Sequence, residues 1–113
     1  MSEDGQFSTE VTHDEGATVI HVHGEIDLET CERLRDAIEP HMGPEETIIL
    51  DLSGVRLMDS SCLNVLVRAR GRLTADGGSL LLRNPSDVAH RILSATHLDE
   101  LLEENSSDVP QSA

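Results

Sequence analysis

The sequence predicts one α/β domain in which a mixed sheet of four or five strands packs against three or four helices. The length of 113 residues is close to the commonest size of a single domain. Short apolar runs typical of strands alternate with segments in which apolar residues recur every three or four positions, as in helices. A strand, a helix and a further strand follow one another between Thr47 and Arg83, and such a unit places its two strands parallel.

The first half of the chain predicts a hairpin and a helix. Residues 7–13 and 17–23 alternate apolar and polar side chains, and the glycine-containing turn between them is typical of a hairpin. Gly24 is expected to end the second strand. Asp27 is expected to cap a helix from Leu28 to about Glu39, because an aspartate there accepts hydrogen bonds from unpaired N–H groups. The predicted inward face of this helix consists of Leu28, Cys31, Leu34, Ala37 and Ile38.

The second half predicts the parallel unit. A strand is predicted over residues 47–52, because Ile48, Ile49, Leu50 and Leu52 form the apolar run that a strand covered on both faces needs, and residues 53–59 are expected to form a loop. A helix is predicted from about Ser61 to Ala75, with Asp59 and the two following serines at positions typical of an N-cap. A strand over residues 79–83 completes the unit.

The end of the chain predicts a short third helix over residues 87–94, opened by the sequence Asn-Pro-Ser. Leu98, Leu101 and Leu102 fit either a short edge strand or a helical turn. The domain is expected to span residues 7–104, between a flexible N-terminus (residues 1–6) and a polar, disordered tail (residues 105–113).

Composition restricts the partners that the chain can bind. The net charge is −14, from 22 acidic residues against eight arginines and no lysine. Nucleic acids and anionic membranes attract clustered positive charge, so neither is an expected partner. We find no apolar run long enough to span a membrane and no signal peptide, which predicts a cytoplasmic protein. The large negative charge also favours a monomer.

Two cysteines, Cys31 and Cys62, lie on different predicted helices without C-x-x-C spacing. Disulfides are rare in the cytoplasm, so both residues are expected to be unpaired and to pack as small apolar side chains.

The segment from Asp51 to Leu63 carries the clearest indication of function. It contains Asp-Leu-Ser-Gly-Val and, after two further residues, Met-Asp-Ser-Ser-Cys-Leu. This pattern resembles the signature of STAS domains, and more specifically that of bacterial anti-sigma factor antagonists of the partner-switching type. The upstream sequence Gly-Glu-Ile-Asp-Leu, which begins at Gly24, also resembles theirs. The likeness extends from about Phe7 to Leu102.

The resemblance implies a regulatory phosphoserine at Ser60, with Ser61 as the second choice. By resemblance, the unphosphorylated chain binds an anti-sigma factor that is also an ATP-dependent serine kinase, and so frees a sigma factor. That kinase phosphorylates the serine and releases the chain, and a serine phosphatase restores it. A phosphate adds about two negative charges, which a helix start accommodates but a close-packed partner does not.

Further residues are expected to contact the partner. Asn64, Arg68 and Arg72 lie four apart on the polar side of the second helix and concentrate positive charge on an acidic protein, although such a stripe is also typical of a solvated face. By resemblance, acids at the positions of Asp27 and Asp59 support recognition of the kinase. The expected partner-binding set is therefore Asp27, Asp59, Ser61, Cys62, Asn64, Arg68 and Arg72.

Cys62 occupies a position where this family usually has glycine. A cysteine at a helix N-terminus can be reactive, but a change in packing is the expected interpretation here. Because cysteine is larger than glycine, a second interpretation stays open, in which the site binds the kinase but is not phosphorylated.

No motif in the sequence predicts an enzyme. Neither a phosphate-binding G-x-x-x-x-G-K-[ST] loop nor a G-x-S-x-G nucleophile turn is present. His21 and His23 share one face of a predicted strand but lack a third ligand of matching spacing, so we expect exposed residues and no metal. We interpret Asp27 as a helix cap, Asp51 as the end of a strand and Asp59 as the residue before a helix. No cofactor is expected.

Two other functions remain open on the sequence. The first is a STAS domain that is not phosphorylated and that serves as a structural subunit of a transporter or signalling complex. Cys62 slightly favours this alternative. Regulation by a bound nucleotide rests on the resemblance alone.

Overall fold

Four strands form one mixed sheet in a computed structural model that describes residues 7–101. The predicted domain limits at residues 1–6 and 102–113 lie outside the described part of the chain. The expected α/β fold is confirmed, and its main elements in order are β1 (Phe7–Asp14), β2 (Ala17–Ile26), α1 (Cys31–Ile38), β3 (Thr47–Met58), α2 (Leu63–Ala75), β4 (Ser79–Arg83) and α3 (Asp87–Ala95).

The sheet has the strand order β1-β2-β3-β4. Strand β1 pairs antiparallel with β2 through a hairpin whose turn residues, Glu15 and Gly16, both have positive φ, as tight hairpin turns require. Strands β2, β3 and β4 are mutually parallel. The predicted hairpin and parallel unit are both confirmed.

Strands β2 and β3 both run further than the sequence predicts. Gly24 does not end β2, because its positive φ of 101° and a shift of register beside it carry the strand on to Ile26. Ile26 pairs there with Met58, so the segment expected to be a loop is mostly strand. Its small and polar residues suggested a turn, yet Val55 and Met58 are buried and hold it on the sheet.

The main core lies between the three helices and one face of the sheet. It is aliphatic, as expected from a chain with Phe7 as its only aromatic residue, and the Arg33 guanidinium lies 5.2 Å from the centre of that ring. A smaller cluster on the opposite face consists of Ala17, Val19 and Ile49, with Leu81 against it. One face of the sheet is therefore layered with helices, while the other carries this smaller apolar cluster.

The start of α1 differs most from the sequence-based expectation. The helix begins at Cys31, not Leu28, and Leu28 is 70% exposed. Asp27 Oδ1 accepts hydrogen bonds from the N–H groups of Glu29 and Thr30, each at 3.0 Å, which closes a separate turn before the helix. The predicted inward position of Leu28 was wrong because this turn rotates it towards solvent.

The other two helices begin close to their predicted positions. A single 3-10 turn, Ser60–Cys62, precedes α2, whose N-cap is Cys62 and not Asp59 or a serine. Ser86 caps α3, with its Oγ accepting from the N–H of Ala89 at 3.2 Å. After α3, residues Asp99–Leu101 form a 3-10 turn, so Leu98 and Leu101 do not form an edge strand. Leu102 lies outside the described residues.

Candidate functional site

Ser60 lies where the carboxyl ends of β2 and β3 meet the starts of α1 and α2. The N–H of Asp59 donates to the carbonyl of Ile26 at 2.8 Å, and the N–H of Cys62 donates to the carbonyl of Asp59 at 3.0 Å. These two bonds fix the backbone on either side of the serine pair. The Ser60 side chain is exposed, and Ser61 follows it in the same turn.

A shallow depression opens beside Ser60. Its apolar wall includes Val67, whose side chain is 47% exposed although it lies on a helix that otherwise buries its large apolar residues. The residues lining the depression are Ser60, Leu63, Asn64, Val67, Thr96 and Leu98. An exposed apolar surface next to an exposed hydroxyl is suited to a contact that a negative charge would disrupt.

A groove of about 420 Å³ runs between α1 and α2. Its floor is apolar, and its polar wall carries three arginines, Arg35, Arg68 and Arg72. Asn64 lines this groove as well as the depression beside Ser60, so the two share a wall. The stripe predicted on α2 is thus one side of a groove, and Arg35 of α1, which the sequence analysis missed, contributes the other.

Two of the groove arginines have exposed acidic neighbours. Arg72 Nη1 lies 3.4 Å from Glu39 Oε2, and Arg35 Nη2 lies 3.7 Å from Asp36 Oδ1. Exposed ion pairs of this kind contribute little stability and separate readily. Within residues 7–101, Arg68 makes no ion pair. The groove therefore offers positive charge to an anionic partner at small cost.

Asp27 shapes the turn next to Ser60. Besides its two backbone hydrogen bonds, its Oδ1 lies 3.2 Å from the hydroxyl of Thr30, which is itself buried. That hydroxyl also lies 2.8 Å from the carbonyl of Glu25 and from the N–H of Asp27. One oxygen of the Asp27 carboxylate is thus engaged within the protein. Asp59, which directly precedes Ser60, is half-buried.

The expectation that the two cysteines are unpaired is wrong. Cys31 and Cys62 form a disulfide with a Cα–Cα distance of 5.6 Å, in the range that such a bond requires. The prediction relied on the expected cytoplasmic compartment and on the absence of C-x-x-C spacing, and it failed because the fold brings together two residues that are 31 positions apart. They meet because Cys31 is the first residue of α1 and Cys62 is the N-cap of α2, and both helices begin near the carboxyl ends of β2 and β3.

Asp51 belongs to a different cluster, on the face of the sheet without helices. Its side chain accepts hydrogen bonds from the N–H and Oγ of Ser53, at 3.0 and 2.7 Å, and from Asn84 Nδ2 at 3.3 Å. Burial raises the pKa of this carboxyl, but these hydrogen bonds and the nearby His21 outweigh burial and lower the pKa from its ordinary value. Asp51 therefore acts as a structural acceptor inside β3 and does not mark a strand end.

The two strand histidines differ in their surroundings. His21 is partly buried, 3.8 Å from Asp51 and 3.0 Å from the hydroxyl of Thr12, whereas His23 is exposed. Among the described residues no group of three or more His, Cys, Asp or Glu side chains is placed to hold a metal ion. A search of the same residues for a helix long and apolar enough to cross a membrane finds none.

Comparison with known proteins identifies the family. The sequence model described as "Mlab, STAS domain" matches residues 9–103, most of the chain. The chain belongs to the STAS domain family. It is 34% identical over 85 residues to a protein of Listeria monocytogenes named anti-sigma-B factor antagonist, covering 74% of this chain and 75% of that protein.

Several solved structures are similar to this STAS domain. The crystal structure of an anti-sigma factor antagonist from Mycobacterium paratuberculosis has a TM-score of 0.72 and 27% identity, covering 90% of this chain and 87% of that one. The structure of the Bacillus cell fate determinant SpoIIAA in its phosphorylated form has a TM-score of 0.65 and 26% identity, covering 86% of this chain and 88% of that one.

The STAS domain brings together most of the residues that the sequence singled out, and adds others. The residues near the carboxyl ends of β2 and β3 are Asp27, Asp59, Ser60 and Cys62. Asn64 lines the adjoining groove. Val67 of α2 forms part of the exposed wall. Thr96 and Leu98 reach the site through the folding of the chain after α3, and no local sequence pattern indicates this.

Proposed function

We propose that this STAS domain is an anti-sigma factor antagonist that works by partner switching. In its unphosphorylated form it binds an anti-sigma factor with serine kinase activity and so frees a sigma factor. Phosphorylation at Ser60, with Ser61 as the second choice, releases it, and a serine phosphatase restores the binding form. The chain is the substrate and the binding module in this cycle, not an enzyme, and it acts as a monomer in the cytoplasm without contacting nucleic acid or membrane.

The observation that carries the proposal is the exposed Ser60 hydroxyl beside an exposed apolar surface. A partner that packs on Val67 and Leu98 brings its own surface close to this hydroxyl. A phosphate there adds about two negative charges that such a contact would have to desolvate. The same charge lies just before the N-terminus of α2, where the helix dipole tolerates it. Phosphorylation would thus abolish binding and leave the fold intact.

The relatives support the same role. Proteins named anti-sigma factor antagonists match about three quarters of the chain or more, and SpoIIAA, which is 26% identical, has been solved in a phosphorylated form. These names describe the relatives and not this chain. The serine that follows Asp59 in this chain gives the proposal its specific residue.

The groove between α1 and α2 extends the proposed partner surface. Its arginines concentrate positive charge on a molecule whose net charge is −14, so an acidic segment of the partner fits there best. The proposed contact residues are those expected from the sequence together with Arg35. They are Asp27, Asp59, Ser61, Cys62, Asn64, Arg35, Arg68 and Arg72, with Asp27 contributing mainly through the turn that it closes.

A capture experiment from the native cell tests the proposal. Tagged wild type, Ser60→Ala, Ser60→Asp and Thr74→Asp are compared, and phosphate is mapped by mass spectrometry. Thr74 is exposed near the far end of α2, about 20 Å from Ser60, so its substitution adds the same charge away from the site. We expect an ATP-binding serine kinase to co-purify with every variant except Ser60→Asp, and phosphate to map to Ser60.

Three other results are informative. Phosphate that persists in Ser60→Ala and maps to Ser61 moves the modification to the second serine. Loss of capture by Thr74→Asp as well as by Ser60→Asp shows a general charge effect and contradicts a local switch. Capture of the same transporter or signalling components by all four proteins, without phosphate on either serine, favours the structural-subunit function.

A further inference from the structure

The Cys31–Cys62 disulfide joins the two segments that carry the proposed switch. Cys62 ends the 3-10 turn that begins at Ser60, and Cys31 follows directly on the turn closed by Asp27. The bond therefore ties the serine segment to the neighbouring turn, beside the backbone hydrogen bond from Asp59 to Ile26. A cross-link at this place restricts the backbone that a kinase must draw into its own active site.

The surroundings of Cys62 also suit the reduced form. Its Sγ lies 3.0 Å from the carbonyl oxygen of Asp27. A thiol at this position donates a hydrogen bond to that carbonyl, so breaking the disulfide leaves Cys62 with a partner. The protein can thus hold the pair either as a disulfide or as two thiols without leaving the buried sulfur unsatisfied.

The two sulfurs differ in access. The side chain of Cys62 is 2% exposed, whereas Cys31 is half-buried, so a reagent from solution reaches Cys31 first. Both residues stand at helix starts, a setting that favours the reactive thiolate. In a reducing compartment the disulfides that occur are mainly transient ones that respond to oxidants. The pair is therefore suited to reversible opening and closing.

We propose that Cys31 and Cys62 form a reversible thiol–disulfide switch that controls phosphorylation of Ser60. The proposal rests on the function proposed above and adds a second input to the same site. Oxidation closes the serine segment against the kinase but leaves the docking surface in place. The oxidised protein therefore stays in the unphosphorylated form that binds the anti-sigma factor.

The chemistry requires a peroxide as oxidant and a dithiol protein as reductant. The Cys31 thiolate attacks a peroxide oxygen, which gives a sulfenic acid and one water when the oxidant is hydrogen peroxide. Cys62 then attacks the Cys31 sulfur, forms the disulfide and releases a second water, so two thiols and one peroxide yield one disulfide and two waters. In the reverse direction a dithiol attacks Cys31, Cys62 leaves as a thiolate and takes up a proton, and the second thiol of the reductant resolves the mixed disulfide.

The test compares oxidised wild type, wild type reduced with a dithiol, and Cys31→Ser. Cys31 is changed because it is the less buried partner, and Cys62 then keeps its contact with Asp27. Hydrogen exchange reports the opening of the amides of Asp59 and Cys62, and incubation with ATP and the kinase fraction captured by wild type reports phosphate at Ser60. We expect oxidation to slow both by about tenfold or more, and Cys31→Ser to match reduced wild type whether or not hydrogen peroxide is added.

The results separate this inference from the proposed function. Equal amide exchange or equal phosphorylation of Ser60 in the two redox forms overturns the switch and leaves partner switching intact. Absence of phosphate at Ser60 in every form overturns partner switching and, with it, this control. Thiol trapping in native cells before and after hydrogen peroxide must also show a change in the disulfide fraction, and a constant fraction overturns the switch.

Discussion

The start of α3 is specified by one nearby side chain, whereas the starts of α1 and α2 are held by contacts between distant parts of the chain. Ser86 caps α3 with a hydrogen bond to an N–H three residues later. At neither α1 nor α2 does the N-cap side chain accept a hydrogen bond from an N–H group of its own helix. The first residue of α1, Cys31, is instead joined by the disulfide to the N-cap residue of α2, Cys62, across 31 positions of sequence.

The difference matters for what each helix start can do. A local cap works independently of the rest of the fold, and it costs about 1 kcal/mol to remove. A start that depends on a bond between two helices can be changed by an event at that bond. The residues that we propose to be modified, Ser60 and the cysteine pair, are found at the starts of the second kind.

The largest expected effect comes from breaking the disulfide. Cys31→Ser should lower the free energy of unfolding by about 3 kcal/mol, because the cross-link restricts a long loop of the unfolded chain. Urea unfolding of oxidised wild type and the variant measures this difference. Wild type in the presence of a dithiol is the control and should resemble the variant. A difference below about 0.5 kcal/mol would mean that the fold does not depend on this cross-link.

Removal of the local cap should have a smaller effect. Ser86→Ala should lower the free energy of unfolding by about 1 kcal/mol, since the N–H of Ala89 loses its acceptor. Ser94→Ala is the matched control, because it removes the same hydroxyl from an exposed position near the other end of α3. Thermal unfolding of both should show a loss for Ser86→Ala alone. Equal behaviour of the two variants would contradict a role for the cap.

The smallest expected effect concerns the hydrogen bonds that join the start of α3 to β3. Asn84, just before the cap, donates to Asp51, and the N–H of Ser86 donates to the carbonyl of Leu52 at 3.2 Å. Because the folded protein lowers the pKa of Asp51, its contribution is fully present above the ordinary value of 3.8 and is lost as the pH falls through the lower, folded-state value.

Asp51→Asn tests this pH dependence. The difference in the free energy of unfolding between wild type and variant should stay constant from neutral pH down to the ordinary carboxyl range and then narrow on further acidification. Chemical unfolding at a series of pH values measures it. A difference that stays constant throughout the acidic range would contradict a stabilising role for the Asp51 carboxylate.

The same contrast explains what the sequence could predict. The hairpin, the parallel unit and the start of α3 follow from short patterns, because glycine turns, apolar runs and Ser86 act locally. The extension of β3 to Met58 depends on pairing with Ile26, and the start of α1 depends on the bonds between Asp27 and Thr30. At the site, the position of Ser60 could be predicted from the resemblance. The disulfide, Arg35 and Leu98 could not, since each reaches the site only through the packing of distant segments.

The near absence of aromatic residues has an optical consequence. With no tryptophan or tyrosine and with Phe7 as the one aromatic ring, the Cys31–Cys62 bridge is the main other chromophore of the folded chain in the near ultraviolet. Its circular dichroism in that region disappears when the bridge opens, while the far-ultraviolet signal of the backbone reports the secondary structure. An unlabelled sample in a cuvette therefore displays its own oxidation state.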